Sequence, residues 1–305
     1  MRSVFHWNVG SRVLELGRRT LIMGIVNVTP DSFSDGGLYL DPEQAIQHGE
    51  KLLVDGAAII DIGGESTRPG ARVATATSGA AAASPARPLV SEEEELKRVL
   101  PVIRELRRRK PDAVISVDTY KANVARAAIE AGANIVNDIS GFRWDPKMAK
   151  TLAELKAAAI LMHTRGRPEE WRSLPPIGDP VLLVKRELKQ WAEAATLAGV
   201  KRDRLALDPG FGFGKSFEEN YPLLARLNEL QEAGYPLVAG TSRKSFIGRT
   251  LAKEGKDAPF DKRLFGTLAT ETALILKGVH VVRTHDVAAA TEAARIADAI
   301  VTSGG

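Results

Sequence analysis

Eight short runs of β-branched and apolar residues recur along the 305-residue chain, and a segment with helical spacing follows each of them. We predict strands at 21–26, 57–62, 113–117, 133–137, 158–162, 204–208, 236–240 and 278–283. Strands that alternate with helices form parallel sheets, since a parallel connection has to cross over the sheet. Eight such units without a break in composition predict a closed (β/α)8 TIM barrel. A doubly wound open sheet is the alternative, because periodicity does not show closure, although no G-x-G-x-x-G follows the first strand.

Two further segments lie outside the eight units. Residues 3–7 and 12–16 flank the turn sequence Asn8–Ser11 and predict a β-hairpin that closes the floor of the barrel. Residues 73–88 are small, almost uncharged and low in complexity, and they predict an inserted loop rather than a helix. The predicted boundaries are one TIM-barrel domain at 1–305, with the hairpin at 1–19 and the insertion at 72–90.

Composition limits the chemistry and the setting of the protein. The chain has no cysteine, which excludes disulfides, thiolate metal ligands and a cysteine nucleophile. No run of about 18 apolar residues is present, and His6, Trp7 and Asn8 stand where a signal peptide would be apolar, so we expect a cytoplasmic protein without a membrane partner. The net charge is only +4. We therefore interpret the basic run Arg107–Lys110 as a solvated helix end rather than a nucleic-acid site.

Polar residues follow the predicted strands at their carboxyl ends, where TIM-barrel enzymes carry their active sites. Each residue alone has an ordinary explanation: Asp118 is able to cap a helix, Asp208 to start a turn, and His163 to lie in the core. Residues that only cap helices or start turns would not all have to lie at the same end of the barrel. The occurrence of all these polar residues at that one end therefore favours a functional site. The strand-end residues are Asn27, Asp61, Asp118, Asn137, Met162, His163, Asp208, Ser242–Ser245 and Arg283–Asp286.

One group of these residues predicts an anion site. Arg68, Arg283 and His285 are cationic or hydrogen-bonding, and the Ser245 hydroxyl lies near them in the predicted topology. Phosphate sites after the seventh and eighth strands are common in this barrel.

A second group suits the edge of a planar heterocycle, because carboxylates accept and lysine donates hydrogen bonds. Its members are Asp118, Asn137, Asp208 and Lys244. The glycines around Phe211 and Phe213 would let a flat ligand approach the backbone, although both rings are equally suited to packing. The two groups together predict a flat heterocycle tied to an anionic group.

Long, ungapped motifs around these strand ends resemble those of the dihydropteroate synthases. The sequence Met23–Gly37 (MGIVNVTPDSFSDGG) resembles the first signature of that family, and Ile60–Gly70 (IDIGGESTRPG) resembles the second. The segments Leu207–Lys215, Gly240–Gly248 and Arg283–Val287 are similar to later signatures. The motifs extend across nearly the whole chain.

The resemblance implies an enzyme that joins hydroxymethyl-dihydropterin diphosphate to p-aminobenzoate and releases diphosphate and dihydropteroate. It also implies Mg²⁺, contacted by Asn27, and a homodimer. The residues implied for the pterin are Asp118, Asn137, Met162, Asp208, Phe213, Lys244 and Arg283. Those implied for the diphosphate are Asn27, Arg68, Arg283 and His285, and those for p-aminobenzoate are Thr67, Ser242 and Lys244. The residues expected to be catalytic are Asp35, Asp118, Lys244 and Arg283.

For the mechanism, we hypothesise that the diphosphate leaves before the amine attacks. Positive charge then develops on the pterin methylene, where Asp35 and Asp118 would stabilise it. Direct displacement is the alternative. Two features depart from the family pattern, namely the insertion at 73–88 and Thr284, where valine is expected.

Three other functions are compatible with parts of the pattern. A pterin-binding methyltransferase domain would share the Asp and Asn contacts but lack the sequences DSFSDGG and SRKS, which are present here. A Schiff-base aldolase would use Lys244 as its nucleophile. A non-catalytic pterin-binding barrel would lack some of the site residues, and the sequence has them all.

Overall fold

The computed structural model describes residues 2–29, 42–65 and 90–303. Within these ranges a hairpin precedes eight strands, each followed by at least one helix. The strands are β1 (Phe5–Val9), β2 (Arg12–Leu16), β3 (Leu21–Asn27), β4 (Ile59–Gly63), β5 (Val114–Asp118), β6 (Ile135–Asp138), β7 (Ala158–Met162), β8 (Leu205–Asp208), β9 (Val238–Ala239) and β10 (Val281–Thr284). The helices are α1 (Pro42–Val54), α2 (Glu92–Arg109), α3 (Ala122–Glu130), α4 (Met148–Leu155), α5 (Pro180–Leu197), α6 (Phe217–Ala225), α7 (Ser245–Thr250), α8 (Leu264–Leu276) and α9 (Val287–Ser303).

Strands β3 to β10 form one parallel sheet that nearly closes on itself. Its order is β8-β7-β6-β5-β4-β3-β10-β9, so the first and last strands of the series pair directly. The remaining seam between β8 and β9 is spanned by a parallel bridge between Leu207 and Leu237, and Leu207 N donates to Pro236 O at 2.9 Å. A doubly wound sheet would instead leave two open edges. The TIM-barrel prediction is confirmed and the open-sheet alternative is wrong.

The helices surround the sheet and bury one apolar face each. In α9 the buried side chains are Val287, Ala290, Ala294 and Ala297, three or four residues apart, which is the spacing of one face of a helix. No helix in the described part of the chain is long and apolar enough to cross a membrane. The expectation of a cytoplasmic location stays a prediction.

The hairpin closes the amino-terminal end of the barrel, as predicted. Its turn is shorter than the predicted Asn8–Ser11, because Asn8 and Val9 still pair with β2 and only two residues connect the strands. Trp7 is 1 % exposed and packs with the residues that line the barrel interior. Its indole Nε1 donates to Arg204 O at 3.0 Å. The floor of the barrel is therefore filled with side chains, which leaves the opposite end for a ligand.

The basic run at the end of α2 is only partly solvated. Arg108 and Lys110 are exposed as expected. Arg107 instead donates to Gly132 O at 2.8 Å and to Asn134 Oδ1 at 2.7 Å, and Arg109 pairs with Glu43 and Glu105. The interpretation as a solvated helix end holds for Arg108 and Lys110, whereas Arg107 and Arg109 hold neighbouring elements together.

Candidate active site

The predicted site residues within the described ranges line one cavity at the carboxyl end of the barrel. Because all eight strands are parallel, their last residues meet at the same end. The cavity has a volume of about 330 Å³. The predicted residues that line it are Asn27, Asp118, Asn137, Met162, Asp208, Phe213, Ser242, Lys244, Ser245, Arg283 and His285. Asp35, Thr67 and Arg68 lie outside the described residues, as does the insertion at 73–88.

Arg283 on β10 joins two carboxylates across the mouth of the barrel. Its Nε donates to Asp61 Oδ2 at 2.7 Å, and its Nη2 donates to Asp118 Oδ2 at 2.7 Å. Asn137 Nδ2 donates to the same Asp61 oxygen at 3.1 Å. These contacts fix the planes of Arg283 and Asn137 before any ligand binds, so the wall of the cavity is preorganised.

Asp61 is the part of this network that sequence reasoning missed. The sequence predicts it only as a strand-end residue, without a role in the site. Its side chain is fully buried, although it stands in β4 between the apolar residues Ile60 and Ile62. A charge within an apolar run signals a buried cation partner, because an unpaired charge in the core is costly. The position of Asp61 within an apolar run does not identify Arg283 as this partner.

The protonation of Asp118 is controlled by its burial and by the charged side chains around it. Burial raises its pKa to about 7, Arg283 opposes that rise, and Asp61 adds to it. The alternative that Asp118 caps a helix is wrong. Helix α3 begins at Ala122, whose N donates to Asp145 Oδ2 at 2.8 Å. The carboxyl group of Asp118 is thus directed to Arg283 and the cavity.

Asp208 and Lys244 face each other across the cavity from β8 and from the residues after β9. Asp208 Oδ1 accepts from Gly210 N at 2.7 Å, so the turn interpretation holds, yet the side chain also lines the cavity. Burial raises the pKa of Asp208, and Lys244 opposes that rise. Burial lowers the pKa of Lys244 to about 8, and Asp208 opposes that fall. Lys244 Nζ also donates to Phe211 O.

The glycine-rich loop after β8 forms an aromatic side of the cavity. Gly210 has a φ of +64°, and a Cβ there would lie 1.9 Å from His163 O, so only glycine fits. Lys215 Nζ donates to Gly210 O at 2.8 Å and fastens the loop. Both phenylalanines line the cavity. Phe211 is also fully buried in the hydrophobic core, whereas the ring of Phe213 lies with its centroid 4.8 Å from Lys244 Nζ. Packing and cavity lining are therefore combined in Phe211.

Trp171 is a second aromatic residue of this side, and sequence reasoning missed it. Its ring meets that of Phe213 edge-on, with 5.3 Å between centroids. It lies nine positions past the end of β7, so no strand-end signal marks it. Met162 completes the apolar lining. The cavity thus combines a flat apolar side with a polar edge, which is what a fused heterocycle requires.

The opposite part of the cavity holds the predicted anion residues. Asn27 at the end of β3 and His285 after β10 both line it, and Ser242 Oγ lies 2.9 Å from His285 Nδ1. Arg243 and Arg263 also line the cavity. Arg243 Nε donates to Asp286 Oδ2 at 2.8 Å, and Arg263 donates to Ala258 O at 2.8 Å and to Arg243 O at 2.9 Å. Both of these guanidinium groups therefore bond to neighbouring residues of the chain.

His163 lies behind the cavity as a core residue, as the ordinary explanation predicts. It is fully buried, its Nε2 lies 3.2 Å from Glu187 Oε2, and its ring stacks on Trp191. Burial lowers its pKa to about 3. The imidazole is therefore neutral and has no acid or base role in the cavity.

Lys121 is a buried cation that sequence reasoning also missed. Its Nζ donates to Glu65 Oε2 at 2.7 Å, to Glu95 Oε2 at 2.6 Å and to Val90 O at 2.9 Å. Glu65 and Val90 flank residues 66–89, which lie outside the described ranges. One ammonium group therefore joins the two described residues on either side of that segment, beside the cavity.

Comparison with known proteins gives consistent results. The family described as pterin-binding enzymes matches residues 23–285. The dihydropteroate synthase of Clostridium beijerinckii is 43 % identical over 294 residues, which are 96 % of this chain and 98 % of the relative. The Xanthomonas albilineans dihydropteroate synthase solved with 4-aminobenzoic acid has a TM-score of 0.84 and 40 % identity, with 98 % of this chain and 99 % of that chain covered. A structure of the Xanthomonas albilineans enzyme in complex with 7,8-dihydropteroate has a TM-score of 0.81 and 38 % identity, with 97 % and 98 % covered. The chain belongs to the dihydropteroate synthases within the family of pterin-binding enzymes.

Proposed function

We propose that this chain joins the methylene carbon of a hydroxymethyl-dihydropterin diphosphate to the amine of p-aminobenzoate. The arrangement that supports this best is Arg283 held between Asp61 and Asp118, beside Asp208 and Lys244, on the wall of one cavity. It offers a preorganised set of donors and acceptors for a heterocycle edge. The relatives solved with 4-aminobenzoic acid and with 7,8-dihydropteroate support the same substrate and product here.

In this proposal the pterin lies in the flat apolar slot, with its polar edge toward the carboxylates. Asp118 and Asp208 accept N–H groups of the ring, while Asn137 and Lys244 contact the remaining ring atoms. Phe213 and Met162 line the faces of the slot, and Arg283 stacks against the ring. Such a pairing rejects ring systems that lack the matching N–H groups, since the buried carboxylates would then be left unpaired.

The diphosphate lies on the side of Asn27, Arg283 and His285, to which the family resemblance adds Arg68. p-Aminobenzoate lies at the mouth of the cavity against Ser242 and Lys244, to which the resemblance adds Thr67. The two substrates thus approach the methylene carbon from the same open end of the barrel. Such placement makes the reaction effectively intramolecular.

Mg²⁺ fits the donor set that is present. Among the described residues, no cluster of three or more histidine, aspartate or glutamate side chains is arranged to hold a metal by itself. Mg²⁺ typically uses one or two protein oxygens together with substrate phosphates and water. The amide oxygen of Asn27 would provide such a ligand on the diphosphate side. A bound Mg²⁺ would supply positive charge that stabilises the departing diphosphate.

The reaction breaks the bond between the methylene carbon and the diphosphate oxygen and forms a bond from that carbon to the amine nitrogen. The amine loses one proton to solvent or to the departing diphosphate, so no strong base from the chain is required. We propose that the first bond breaks before the second forms. The charge that develops on the pterin is then stabilised by Asp118 and, on the family resemblance, by Asp35.

Release of diphosphate that depends on p-aminobenzoate is the assay for this function. Purified protein with both substrates and Mg²⁺ should release one diphosphate per dihydropteroate. Asp208→Asn replaces an acceptor with a donor and should weaken pterin binding by roughly 2–4 kcal/mol. The matched control is Asp203→Asn, at the opposite end of the barrel, where the carboxylate bonds to Asn8. Failure to form dihydropteroate from the two substrates, or unchanged pterin affinity of Asp208→Asn, would contradict the proposal.

We propose that the enzyme is a homodimer through helices α8 and α9, which pack against each other. They expose large apolar side chains, with Phe265 82 % and Ile296 67 % accessible, and such residues are typical of interface centres. Analytical ultracentrifugation should report a dimer that Phe265→Glu converts to a monomer. Leu197→Glu, an equally exposed site on α5, should leave the dimer intact. A wild-type monomer at micromolar concentration would overturn the proposal.

A further inference from the structure

The amino group of Lys215 lies behind the cavity, where three backbone carbonyl groups surround it. Its Nζ donates to Gly210 O at 2.8 Å, to Phe213 O at 3.3 Å and to His163 O at 3.4 Å. Only 7 % of the residue is exposed. A buried lysine normally has a carboxylate partner, because burial of its charge is costly. Here all three hydrogen bonds go to the backbone, which indicates that the side chain holds segments of the chain together.

The three carbonyl groups belong to two segments that each contribute an apolar residue to the cavity. His163 directly follows Met162, the last residue of β7, and Met162 lines the cavity. Gly210 and Phe213 belong to the glycine-rich loop after β8, and Phe213 lines the cavity as well. One side chain therefore joins the end of β7 to the loop that carries Phe213.

The glycine-rich loop lies between β8 and α6, where the structure describes no strand pairing that would fix it. Phe213 N donates to Gly210 O at 3.1 Å, which is a bond within the loop. Gly212 N donates to Asn220 Oδ1 at 2.7 Å, which joins the loop to α6. The contacts of Lys215 differ from these, because they reach across to β7 and include the carbonyl group of Phe213 itself.

We infer that Lys215 is a positioning residue that holds Phe213 at a fixed place relative to Met162. The pterin of the proposed function, on which this role rests, lies against both of these side chains. A slot whose apolar lining is in place before the ligand arrives loses less conformational entropy on binding. Arg165 Nη1 donates to Gly214 O at 3.2 Å and strengthens the same junction, but its contact lies one residue past Phe213.

The junction does not depend on the charge of Lys215. Burial lowers the pKa of Lys215 to about 7, Lys244 adds to that fall, and Asp208 opposes it. An ammonium group has three N–H groups, which matches the three carbonyl oxygens. A neutral amine has two N–H groups and is still able to bond to both segments. The amino group therefore joins β7 and the loop on either side of that pH.

The test is the affinity for 6-hydroxymethylpterin, measured by calorimetry at a temperature where each variant is folded. Lys215→Met keeps the length of the side chain but removes its N–H groups. We expect it to bind the pterin about tenfold more weakly, as for the loss of one hydrogen bond to a buried group. The KM for the pterin diphosphate should rise by a similar factor while the KM for p-aminobenzoate stays constant. Lys201→Met, at an exposed residue that precedes β8, is the matched control and should bind as wild type.

The absence of cysteine from the natural sequence allows the amino group to be restored chemically. Lys215→Cys, alkylated in urea with 2-bromoethylamine and refolded, gains a side chain of the length of lysine with a terminal amino group. Alkylation with 1-bromopropane gives the same length without N–H groups. The aminoethylated chain should regain wild-type affinity, whereas the propylated chain should behave like Lys215→Met. If Lys215→Met does not fold, the unmodified Lys215→Cys chain takes its place in the comparison.

Three results would overturn the role of Lys215. The first is equal pterin affinity in Lys215→Met and the wild type. The second is a loss of affinity that aminoethylation does not reverse. The third is a rise in the KM of both substrates together, which a general loss of structure would produce. A wild-type chain that does not bind the pterin would overturn the proposed function as well, so the two failures are distinguishable.

Discussion

Pterin affinity should pass through a maximum between pH 7 and 8, because two opposed groups in the cavity titrate on either side of that range. Asp118 accepts from the pterin only as a carboxylate, and its pKa is raised to about 7. Protonation below that pH removes the acceptor, so affinity should fall about tenfold, or about 1.4 kcal/mol, per pH unit. Lys244 donates only as an ammonium, and its pKa is lowered to about 8. Affinity should therefore also fall above pH 8.

Calorimetric titration with 6-hydroxymethylpterin from about pH 5.5 to about pH 9.5 would measure both limbs. Asp118→Asn should remove most of the acid limb and leave the part contributed by Asp208, whose pKa burial also raises. Lys244→Arg stays cationic and should remove the alkaline limb, while Asp203→Asn at the barrel floor should keep both. A flat wild-type profile would refute the reasoning. The reasoning would also be refuted if the acid and alkaline falls in pterin affinity persisted unchanged in both cavity variants, because the titrating group would then belong to the ligand.

Three further predictions follow from buried contacts. Asp61→Asn removes one of the two carboxylates that orient Arg283 and should weaken pterin binding by roughly 1.5–3 kcal/mol, measured by calorimetry; wild-type affinity would contradict it. Lys121→Met leaves two buried carboxylates without their cation and should lower the free energy of unfolding in urea by about 3–5 kcal/mol, so an unchanged urea midpoint would count against this account. Trp7→Ala leaves a cavity in the barrel floor and should lower the free energy of unfolding by about 3–5 kcal/mol. Pterin affinity should not change at temperatures where the variant is folded, and a change would contradict the separation of floor and cavity.

The carboxyl ends of the strands could be predicted well because a polar residue closes each apolar run. The prediction for the seventh barrel strand was less accurate, since 236–240 shrinks to Val238–Ala239. Five other strands also begin one to three residues later than predicted. In three of them, Ala57, Ala133 and Val279 are buried and apolar but precede the first paired residue. Apolar character reports burial, whereas a strand boundary depends on pairing with a neighbour.

The site could be predicted where one residue carries its own signal, as for Asp208 before Pro-Gly or the charged residues after β10. It could not be predicted where the role of a residue depends on its contact with another residue that is distant in the sequence. Arg283 is 222 positions from Asp61 in the sequence, and nothing local to either residue indicates their contact. Arg243 illustrates the reverse case, because its position suggests the anion site and only the structure reveals its pairing with Asp286.

The anchoring of Glu65 and Val90 by Lys121 has a consequence for how this protein can change. The two points where residues 66–89 leave and rejoin the barrel are tied to one ammonium group, so their separation is set by the scaffold and is independent of the length between them. Insertions and deletions between these two points are therefore compatible with an unchanged register of the barrel strands.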